Sequence, residues 1–445
     1  MFDRRSLDGK LFRLLALIVV AILLGGGGRS APLTNLIVQL TALVVLTFSY
    51  TEFRSFLRFT PALLLVLVFA TLALPLAHVL PLSPSLWTEL PGRDLVLDSL
   101  QLIDEAGSWM PLSVDRSLSL LAFTGLIAPF AILLLGLSLK TEWWGIIFSA
   151  LFGLTIVLMI VGAIQLASGG TLLDFYVGGS SQRLSGTFAN HNSTGLFLVL
   201  MLTLVVTLGD WIGTGPFSSR VARIAFAIMC MLGIILSQSR SSIAISLLPL
   251  IILATRFAPM GRRMRWRSRG GVAAIAVVAA VIVAGAFVFQ SSRADQVIDR
   301  FSSFEDLRPA IWEDSLVSAD RFWPVGSGMG TFDEVFQLDE SLEHVTPRRA
   351  GRAHNDFLEV AIEAGVVGLV LIAAWFAYLL SLVVRRARGG MGYRAMGVGA
   401  SLLCIALQSV VDYPLRNQAL LCVAALLIAF LVSGDRGVGR EVARG

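Results

Sequence analysis

The chain has 445 residues, of which 56% are hydrophobic and 15% are charged, and its formal net charge at pH 7 is +5. A soluble domain carries roughly 25% charged residues, so this composition excludes an ordinary soluble protein. Apolar runs of about 18 residues or more recur along the chain, and each is long enough to cross a bilayer as a helix. The sequence therefore predicts an all-α integral membrane protein that forms one polytopic domain, residues 1–445.

Hydropathy predicts about twelve transmembrane helices. The first, at about 12–27, is not followed by an A-x-A-like cleavage site, so we interpret it as a retained helix. One helix over 224–255 would be about 48 Å long, which exceeds a hydrocarbon core of roughly 30 Å, so we predict a break at "SQSRSS", 237–242. The predicted spans are about 12–27, 34–50, 60–80, 117–138, 143–167, 192–209, 221–238, 241–256, 271–290, 357–384, 395–411 and 416–433.

The distribution of Lys and Arg predicts the orientation. With the N-terminus in the cytoplasm, the cytoplasmic segments hold most of the 35 basic residues and a minority of the 30 acidic ones, in agreement with the positive-inside rule. The basic cluster at 261–269 is then a short cytoplasmic loop, which argues against nucleic-acid binding. Two outer loops are long. The first covers about 81–116, and the second, 291–356, lies between transmembrane helices 9 and 10 and is expected to form short helices across the outer face.

The sequence predicts no metal and no cofactor. The three cysteines lie inside apolar runs, where small packed side chains are the simplest interpretation, and no Cys or His spacing resembles a metal site. The glycine-rich "GSGMG" at 326–330 is not a Walker pattern. A metal-dependent glycosyltransferase remains an alternative, and it would use the acids of the first outer loop, Asp94, Asp98, Asp104 and Glu105.

The outer ends of the predicted helices carry unusual polar residues. An arginine at the bilayer centre costs roughly 2.5–3.5 kcal/mol or more, so one near membrane depth usually has a partner or a function. The arginines that approach the outer boundary are Arg183, Arg240, Arg308 and Arg416. Their planar forks suit a diphosphate, and His354 is the side chain best placed to move a proton near neutral pH. Together they predict an outer pocket for a lipid diphosphate, with a histidine for an acceptor hydroxyl.

Acidic residues follow His354 along the next predicted helix. Asp356, Glu359 and Glu363 are spaced three and four apart and therefore share one helix face. Asp356 and Glu359 also complement the positive end of the helix dipole, and the deeper Glu363 is expected to pair with an arginine such as Arg240. Structural interpretations stay open for several of these side chains, namely interfacial anchoring for Arg183 and His191, an ordinary loop for Arg308 and a helix start for His354.

Six motifs follow one another between about residues 180 and 420. They are "RLSGTFANHNSTG", "SQSRSS", "RPAIWEDSL", "WPVGSGMGTF", "AHNDFLEVAIEAGVVGL" and "SLVDYPLR". The ordered set resembles the bacterial O-antigen ligase and polymerase family of membrane glycosyltransferases. The most specific part is H-N-D-x-L-E-x-x-x-E-x-G-x-x-G, which starts at His354 after a large outer loop.

The resemblance implies a glycosyltransferase C-type architecture in the bacterial inner membrane, with the active site facing the periplasm. It implies metal-independent, inverting transfer of a glycan from undecaprenyl diphosphate to a sugar hydroxyl of a glycan or lipid A-core acceptor, in surface polysaccharide biosynthesis. Arg183 and Arg240 are expected to bind the diphosphate and His354 to act on the acceptor. Supporting roles are assigned to Arg308, Asn192, Asn355, Glu359, Asp412 and Arg416.

Several alternatives remain open at this stage. A polymerase joins repeat units on the lipid carrier, a ligase moves finished glycan to lipid A-core, and a protein O-oligosaccharyltransferase of the same family moves it to protein; we favour the first two. A secondary transporter also fits about twelve spans. Transporters, however, place their sites near the midplane, often between repeated halves, whereas the polar residues here gather at the outer ends and no repeat is visible.

Overall fold

The computed structural model describes residues 4–28, 31–176, 182–212, 216–257, 308–343, 345 and 349–433. This part of the chain is mostly helical, which confirms the predicted all-α class. Its strands are one short antiparallel pair, β1 (Pro81–Leu82) with β2 (Met110–Pro111). The ninth predicted span, at 271–290, and the basic cluster at 261–269 lie outside the described residues.

The first part of the chain forms nine α-helices within the described residues. Apolar runs account for most of them, and turn residues set their ends; Asp115, for example, caps α7 by accepting from the backbone N–H groups of Ser117 and Leu118. The helices are α1 (Arg4–Leu24), α2 (Pro32–Thr47), α3 (Tyr50–Phe59), α4 (Ala62–Ala77), α5 (Pro84–Trp87), α6 (Asp94–Gln101), α7 (Arg116–Gly125), α8 (Ile127–Leu137) and α9 (Trp144–Ala167).

The second part carries the motifs of the candidate site. Its helices, within the described residues, are α10 (His191–Leu208), α11 (Arg220–Leu236), α12 (Arg240–Ile245), α13 (Leu247–Phe257), α14 (Arg308–Phe322), α15 (Phe332–Asp339), α16 (Asp356–Arg388), α17 (Tyr393–Gln408) and α18 (Gln418–Ser433). A 3-10 turn, Pro414–Arg416, connects α17 to α18.

Four helices of the described residues are long and apolar enough to cross a membrane. The number becomes five if α2 and α3, which meet at an angle of 81°, are counted as one broken span. Three shorter apolar helices lie at Ala62–Ala77, Arg240–Ala254 and Gln418–Ser433. The protein is therefore a helical membrane protein, while the count of about twelve spans stays a prediction.

Helix α10 lies at the centre of the helical core. Nearly all of its side chains are buried, and it packs against α11 and α17, while α18 packs against α8. A helix that is apolar around its whole circumference must be covered on all sides. Residues at the start of α10 are consequently held in a fixed place among the surrounding helices.

The predicted interruption of the 224–255 run is present. Helix α11 ends at Leu236 and α12 begins at Arg240, and Gln238 between them has a left-handed φ of +53°. Ser239 caps α12 by accepting from the backbone N–H of Ser242. The break is therefore built by local turn chemistry, as the polar "SQSRSS" stretch indicates.

The described part of the second long loop forms short helices with a small core of their own. Helices α14 and α15 pack together and against α16. The buried apolar residues of this second core are Phe322, Phe332, Val335, Phe336, Ala353 and Ile362. The short helices predicted for this loop are thus observed at α14 and α15, and their core continues into the first turns of α16.

Helix α16 covers the span predicted at 357–384, but it is not regular along its length. Gly365 has φ +53° and ψ −143°, outside helical geometry. The backbone of the 324–328 segment fills the break, because the carbonyl of Pro324 accepts from Val366 and the N–H of Gly328 donates to the carbonyl of Glu363. Only glycine is suited to this backbone conformation. The interruption attaches the segment between α14 and α15 to α16.

Candidate functional site

Asn355 determines where α16 begins. Its Oδ1 atom accepts hydrogen bonds from the backbone N–H groups of Phe357 (3.0 Å) and Leu358 (3.1 Å), which satisfies two N–H groups that a helix start leaves unpaired. The preceding residue, His354, has a φ of +50°, a conformation uncommon for residues other than glycine. The cap thus separates the helix from a sharp turn that carries His354.

The imidazole of His354 contacts a buried carboxylate. Its Nδ1 atom lies 3.1 Å from Oδ1 of Asp412. The side chain of His354 is 32% exposed, whereas that of Asp412 is 2% exposed. The other carboxylate oxygen, Oδ2, accepts from the side-chain amide of Asn190 at 3.2 Å. Three segments far apart in the chain therefore meet in one hydrogen-bonded row, Asn190–Asp412–His354.

An aromatic ring borders the same imidazole, and an arginine lies over that aromatic ring. The ring of Tyr413 lies edge-on to that of His354, with centroids 5.0 Å apart and planes at 62°. The guanidinium of Arg352 is 6.0 Å from the centre of the Tyr413 ring. Burial, together with the negative charge of Asp412, raises the pKa of Tyr413 to about 12. The phenol is consequently neutral near pH 7.

The three acids of α16 share one face, as their spacing predicts, and they meet two arginines. Arg416 lies 2.6 Å from Glu363, 3.4 Å from Glu359 and 3.9 Å from Asp356. Arg352 binds Glu359 at 2.6 Å. All three carboxylates are buried. An arginine is thus the partner of Glu363, as expected, but it is Arg416 rather than Arg240.

Hydrogen bonds within this cluster connect α16 to its neighbours. Oδ2 of Asp356 accepts from the hydroxyl of Ser409 (2.9 Å) and from the backbone N–H of Leu415 (3.1 Å). Glu363 accepts from the backbone N–H of Phe332 at the start of α15 (3.2 Å). The acids therefore attach the start of α16 to the α17–α18 link and to α15, which keeps the turn of His354 in place.

The arginine at the centre of the cluster stays charged. Burial alone lowers the pKa of Arg416, but the carboxylates of Glu363, Glu359 and Asp356 outweigh burial and raise it. A buried guanidinium with three acids around it is a compensated charge rather than a free anion site. Arg416, a predicted supporting residue, thus stabilises the frame of the site.

The structure brings the segments of Arg183 and Arg240 together. The backbone N–H of Leu184 donates to the carbonyl of Leu236 (3.0 Å), and the side-chain amide of Gln238 donates to the carbonyl of Gln182 (3.3 Å). Arg183 therefore lies beside the break that ends just before Arg240. Both side chains are half-buried.

Asn192, another predicted supporting residue, lies in the same region. Its side chain is buried, and its backbone carbonyl accepts from the hydroxyl of Ser242 (3.4 Å) in α12. This contact adds to those that join the start of α10 to the α11–α12 break. The segment that carries Arg183 and Asn190 and the one that carries Arg240 are thus held against each other.

Arg308 begins α14, and its helix contacts the turn of His354. Trp312, one helical turn further on, donates its indole N–H to the carbonyl of Ala353 at 2.8 Å. Residues four apart lie on the same helix face, so Arg308 shares the face that meets residue 353. The structure therefore places Arg308 on the helix that borders the site.

Part of the chain matches a known protein family. Residues 224–373 match the family model described as O-antigen ligase. The chain carries an O-antigen ligase domain. The resemblance to the O-antigen ligase and polymerase family is thereby confirmed. No curated protein matches the chain.

The O-antigen ligase domain contains only part of the site. Arg240, Arg308 and His354 lie inside the matched residues, as do the buried acids of α16. Asp412, which contacts His354, lies after the matched segment, and Asn190 lies before it. Helices on both sides of the domain therefore complete the surroundings of the histidine.

Sequence reasoning gave no role to three residues of the candidate site: Asn190, Arg352 and Tyr413. Each stands inside a motif that the sequence singles out, "ANHNSTG", "RAHNDFLE" and "VDYPLR". These motifs indicate which segments form the site. The local sequence does not show which side chain of a motif faces the site and which faces away. Their contacts depend on how α10, α16 and α17 pack.

The described residues contain no group of three or more His, Cys, Asp or Glu side chains placed to hold a metal ion. The acids of the first outer loop fall within this part of the chain. Cys230, Cys404 and Cys422 are buried and unpaired with one another, in agreement with their predicted packing role.

Proposed function

We propose that the protein is a glycosyltransferase that moves a glycan from undecaprenyl diphosphate to a sugar hydroxyl at the periplasmic face of the bacterial inner membrane. It acts as an O-antigen polymerase or ligase, without a metal, and inverts the anomeric carbon. The O-antigen ligase domain supports the general activity. The donor, the acceptor and the orientation in the membrane belong to the proposal.

One observation carries the proposal: a partly exposed histidine has a buried carboxylate on one ring nitrogen. An ionised carboxylate can only accept, so Asp412 favours the tautomer of His354 with hydrogen on Nδ1 and a lone pair on Nε2. Nε2 is then the atom that can take a proton. This is the arrangement in which an imidazole acts as general base and its carboxylate stabilises the imidazolium that forms.

The transfer is one displacement. The acceptor hydroxyl gives its proton to Nε2 of His354 while its oxygen forms a bond to the anomeric carbon of the donor glycan. The bond from that carbon to the diphosphate oxygen breaks, and its electron pair leaves with the undecaprenyl diphosphate. Attack from the face opposite the leaving group inverts the anomeric configuration.

Arg183 and Arg240 supply the positive charge for the donor in this scheme. Their segments adjoin through the Leu184–Leu236 and Gln238–Gln182 hydrogen bonds, which supports a joint role. Guanidinium forks stabilise the growing charge on a departing diphosphate. Arg308, on the helix that touches residue 353, is a further candidate for the same anion.

The test is a reconstitution with purified protein, undecaprenyl-diphosphate-linked repeat units and a chelator, with products separated on a gel. A ladder of longer glycans is expected for a polymerase. If no ladder forms and a single transferred band appears only after lipid A-core is added, the protein is a ligase. Transfer to an added acceptor protein instead would favour the protein O-oligosaccharyltransferase alternative.

Variants tested in this assay separate the role of the general base from the role of the donor site. His354→Ala is expected to lose transfer, while His344→Ala, a histidine of the same loop without an assigned role, should retain it. Arg183→Lys and Arg240→Lys keep the charge but lose the fork, so each should raise the KM for the donor. Full activity of folded His354→Ala would remove the histidine from the mechanism, and loss of all transfer in chelator would contradict metal independence.

A further inference from the structure

We propose that Asn190 is a positioning residue for the transfer reaction. It holds the carboxylate of Asp412, and that carboxylate in turn holds the imidazole of His354. The inference rests on the proposed function, in which His354 accepts the proton of the sugar hydroxyl. Asn190 directly precedes α10, and the sequence alone gave it no role.

The orientation of the Asn190 amide is determined by its two neighbours. Its Oδ1 atom accepts from the backbone N–H of Asn192 at 2.9 Å, as the N-cap of α10. Its Nδ2 atom lies 3.2 Å from Oδ2 of Asp412. Exchanging the oxygen and nitrogen would place a donor against an N–H and an oxygen against a carboxylate, so only one orientation satisfies both contacts.

The two oxygens of the Asp412 carboxylate face different partners. Oδ2 receives the amide of Asn190, and Oδ1 faces Nδ1 of His354 at 3.1 Å. The backbone N–H of Asp412 donates to the carbonyl of Gln408 (2.8 Å), which continues the end of α17. With one oxygen fixed by Asn190, the plane of the carboxylate is fixed, and the other oxygen stays directed at the imidazole.

The start of α10, next to Asn190, is held in place by a hydrogen bond and by burial. The hydroxyl of Thr194 donates to the carbonyl of Ser185 at 2.7 Å, which ties the first turn of α10 to the segment before it. The rest of α10 is buried among other helices. The same segment carries Arg183. Asn190 and Asp412 therefore connect the segment of the proposed donor site to His354, the proposed base.

A purely structural alternative is that Asn190 only caps α10. The two roles are separable because serine is as good an N-cap as asparagine, while its hydroxyl is too short to reach Asp412 from the same backbone position. Asn190→Ser therefore keeps the cap and loses the link. Asn190→Ala loses both. Asp115→Ala, which removes the N-cap of α7, is the matched control for loss of a cap elsewhere.

The decisive readout is the ring tautomer of His354, from the 15N chemical shifts of protein labelled at histidine. The chain has four histidines, and the His354→Gln spectrum assigns the resonance. The wild type should show hydrogen on Nδ1. Asn190→Ser and Asn190→Ala should both lose much of this preference, whereas Asp115→Ala should not. A wild-type spectrum for folded Asn190→Ser would overturn the inference.

Kinetics add a second readout that a helix cap alone would not change. Asn190→Ser should lower kcat by about tenfold to a hundredfold, less than the roughly 10²–10⁴-fold contribution of a whole general base. It should leave the KM for donor and acceptor within about twofold. An unchanged kcat would contradict the role.

The two proposals fail in different ways. If His354→Gln transfers glycan at the wild-type rate, the proposed base is wrong, although the tautomer of His354 can still report the link. If His354→Gln abolishes transfer while Asn190→Ser has a normal rate and a normal tautomer, only the role of Asn190 is wrong.

Discussion

The imidazole of His354 lies 3.1 Å from the carboxylate of Asp412, although 58 residues separate the two along the chain. The pair joins the turn before α16 to the link between α17 and α18. The acid is buried and the histidine remains accessible. A histidine that exchanges a proton with a substrate needs both conditions. The buried carboxylate orients the ring, while the other ring nitrogen stays accessible to the substrate.

Asp412→Asn should lower kcat by roughly 10²–10⁴-fold, the range typical of general base catalysis, because a neutral amide no longer stabilises the imidazolium. The measurement is the initial rate in the reconstituted assay. Asp339→Asn is the matched control, since Asp339 is an equally buried aspartate that pairs with Arg321 away from the histidine. A rate for Asp412→Asn within about threefold of that control would contradict the role.

Arg416→Met should destabilise the protein by about 3–5 kcal/mol, because it leaves buried carboxylates without their shared cation. Thermal unfolding in detergent measures the effect. Arg349→Met is the matched control: Arg349 is 62% exposed, and its nitrogen is 4.0 Å from Asp333, so about 0–1 kcal/mol is expected. Glu363→Met should restore part of the loss when combined with Arg416→Met. No restoration would mean that the uncompensated charge is not the cause.

Gly365→Ala should destabilise the attachment of α14 and α15 to α16. The left-handed backbone at Gly365 costs a residue with a side chain about 1–3 kcal/mol, and a Cβ there would collide with the carbonyl oxygen of Pro324. Limited proteolysis of the 308–343 region should therefore accelerate. Gly153→Ala in α9 meets open space and should stabilise its helix by about 0.5–1 kcal/mol. Equal proteolysis of the two variants would show that the helix break tolerates a side chain.

The contact between His78 and Met329 should weaken in acid. Nδ1 of His78 accepts from the backbone N–H of Met329 at 3.0 Å, so the ring is unprotonated on that nitrogen. Burial, helped by the charge of Arg93, lowers the pKa of His78 from 6.5 to about 4. The open state takes up a proton at higher pH than the closed state, so the contact is fully stable above pH 6.5 and loses stability as the pH falls toward 4.

Hydrogen exchange of the Met329 amide measures this loss, after correction for the intrinsic pH dependence of exchange. About 1.4 kcal/mol of local stability should disappear per pH unit between 6.5 and 4, which is tenfold in the opening equilibrium. His78→Gln offers a non-titrating acceptor and should flatten the dependence. The same pH dependence in His78→Gln would assign the effect to another group.

Local patterns in the sequence were enough to predict several features of this protein. The apolar runs predict the helical membrane class, because a bilayer admits few other structures. The polar "SQSRSS" predicts the break between α11 and α12, and the "HND" stretch predicts the start of α16. These features depend on residues close together in the chain, and the helix-cap and turn preferences that produce them are local.

The interruption of α16 illustrates what local patterns miss. Gly365 lies in an apolar run that looks helical from end to end, and the acid spacing around it fits one face. The break exists because the backbone of the 324–328 segment takes the place of helix hydrogen bonds at this point. A segment some forty positions away along the chain therefore determines the backbone conformation at Gly365. The hydropathy pattern around Gly365 does not indicate this.

The sequence by itself determined that this is a helical membrane protein with an O-antigen ligase domain and that His354 lies beside the start of a helix that carries acids. Only the tertiary structure decided that Asp412 holds His354, that Asn190 holds Asp412, and that Arg416 rather than Arg240 neutralises Glu363. The physical reason is that helix starts and apolar spans follow from neighbouring residues, whereas the partner of a buried charge depends on which helices pack together.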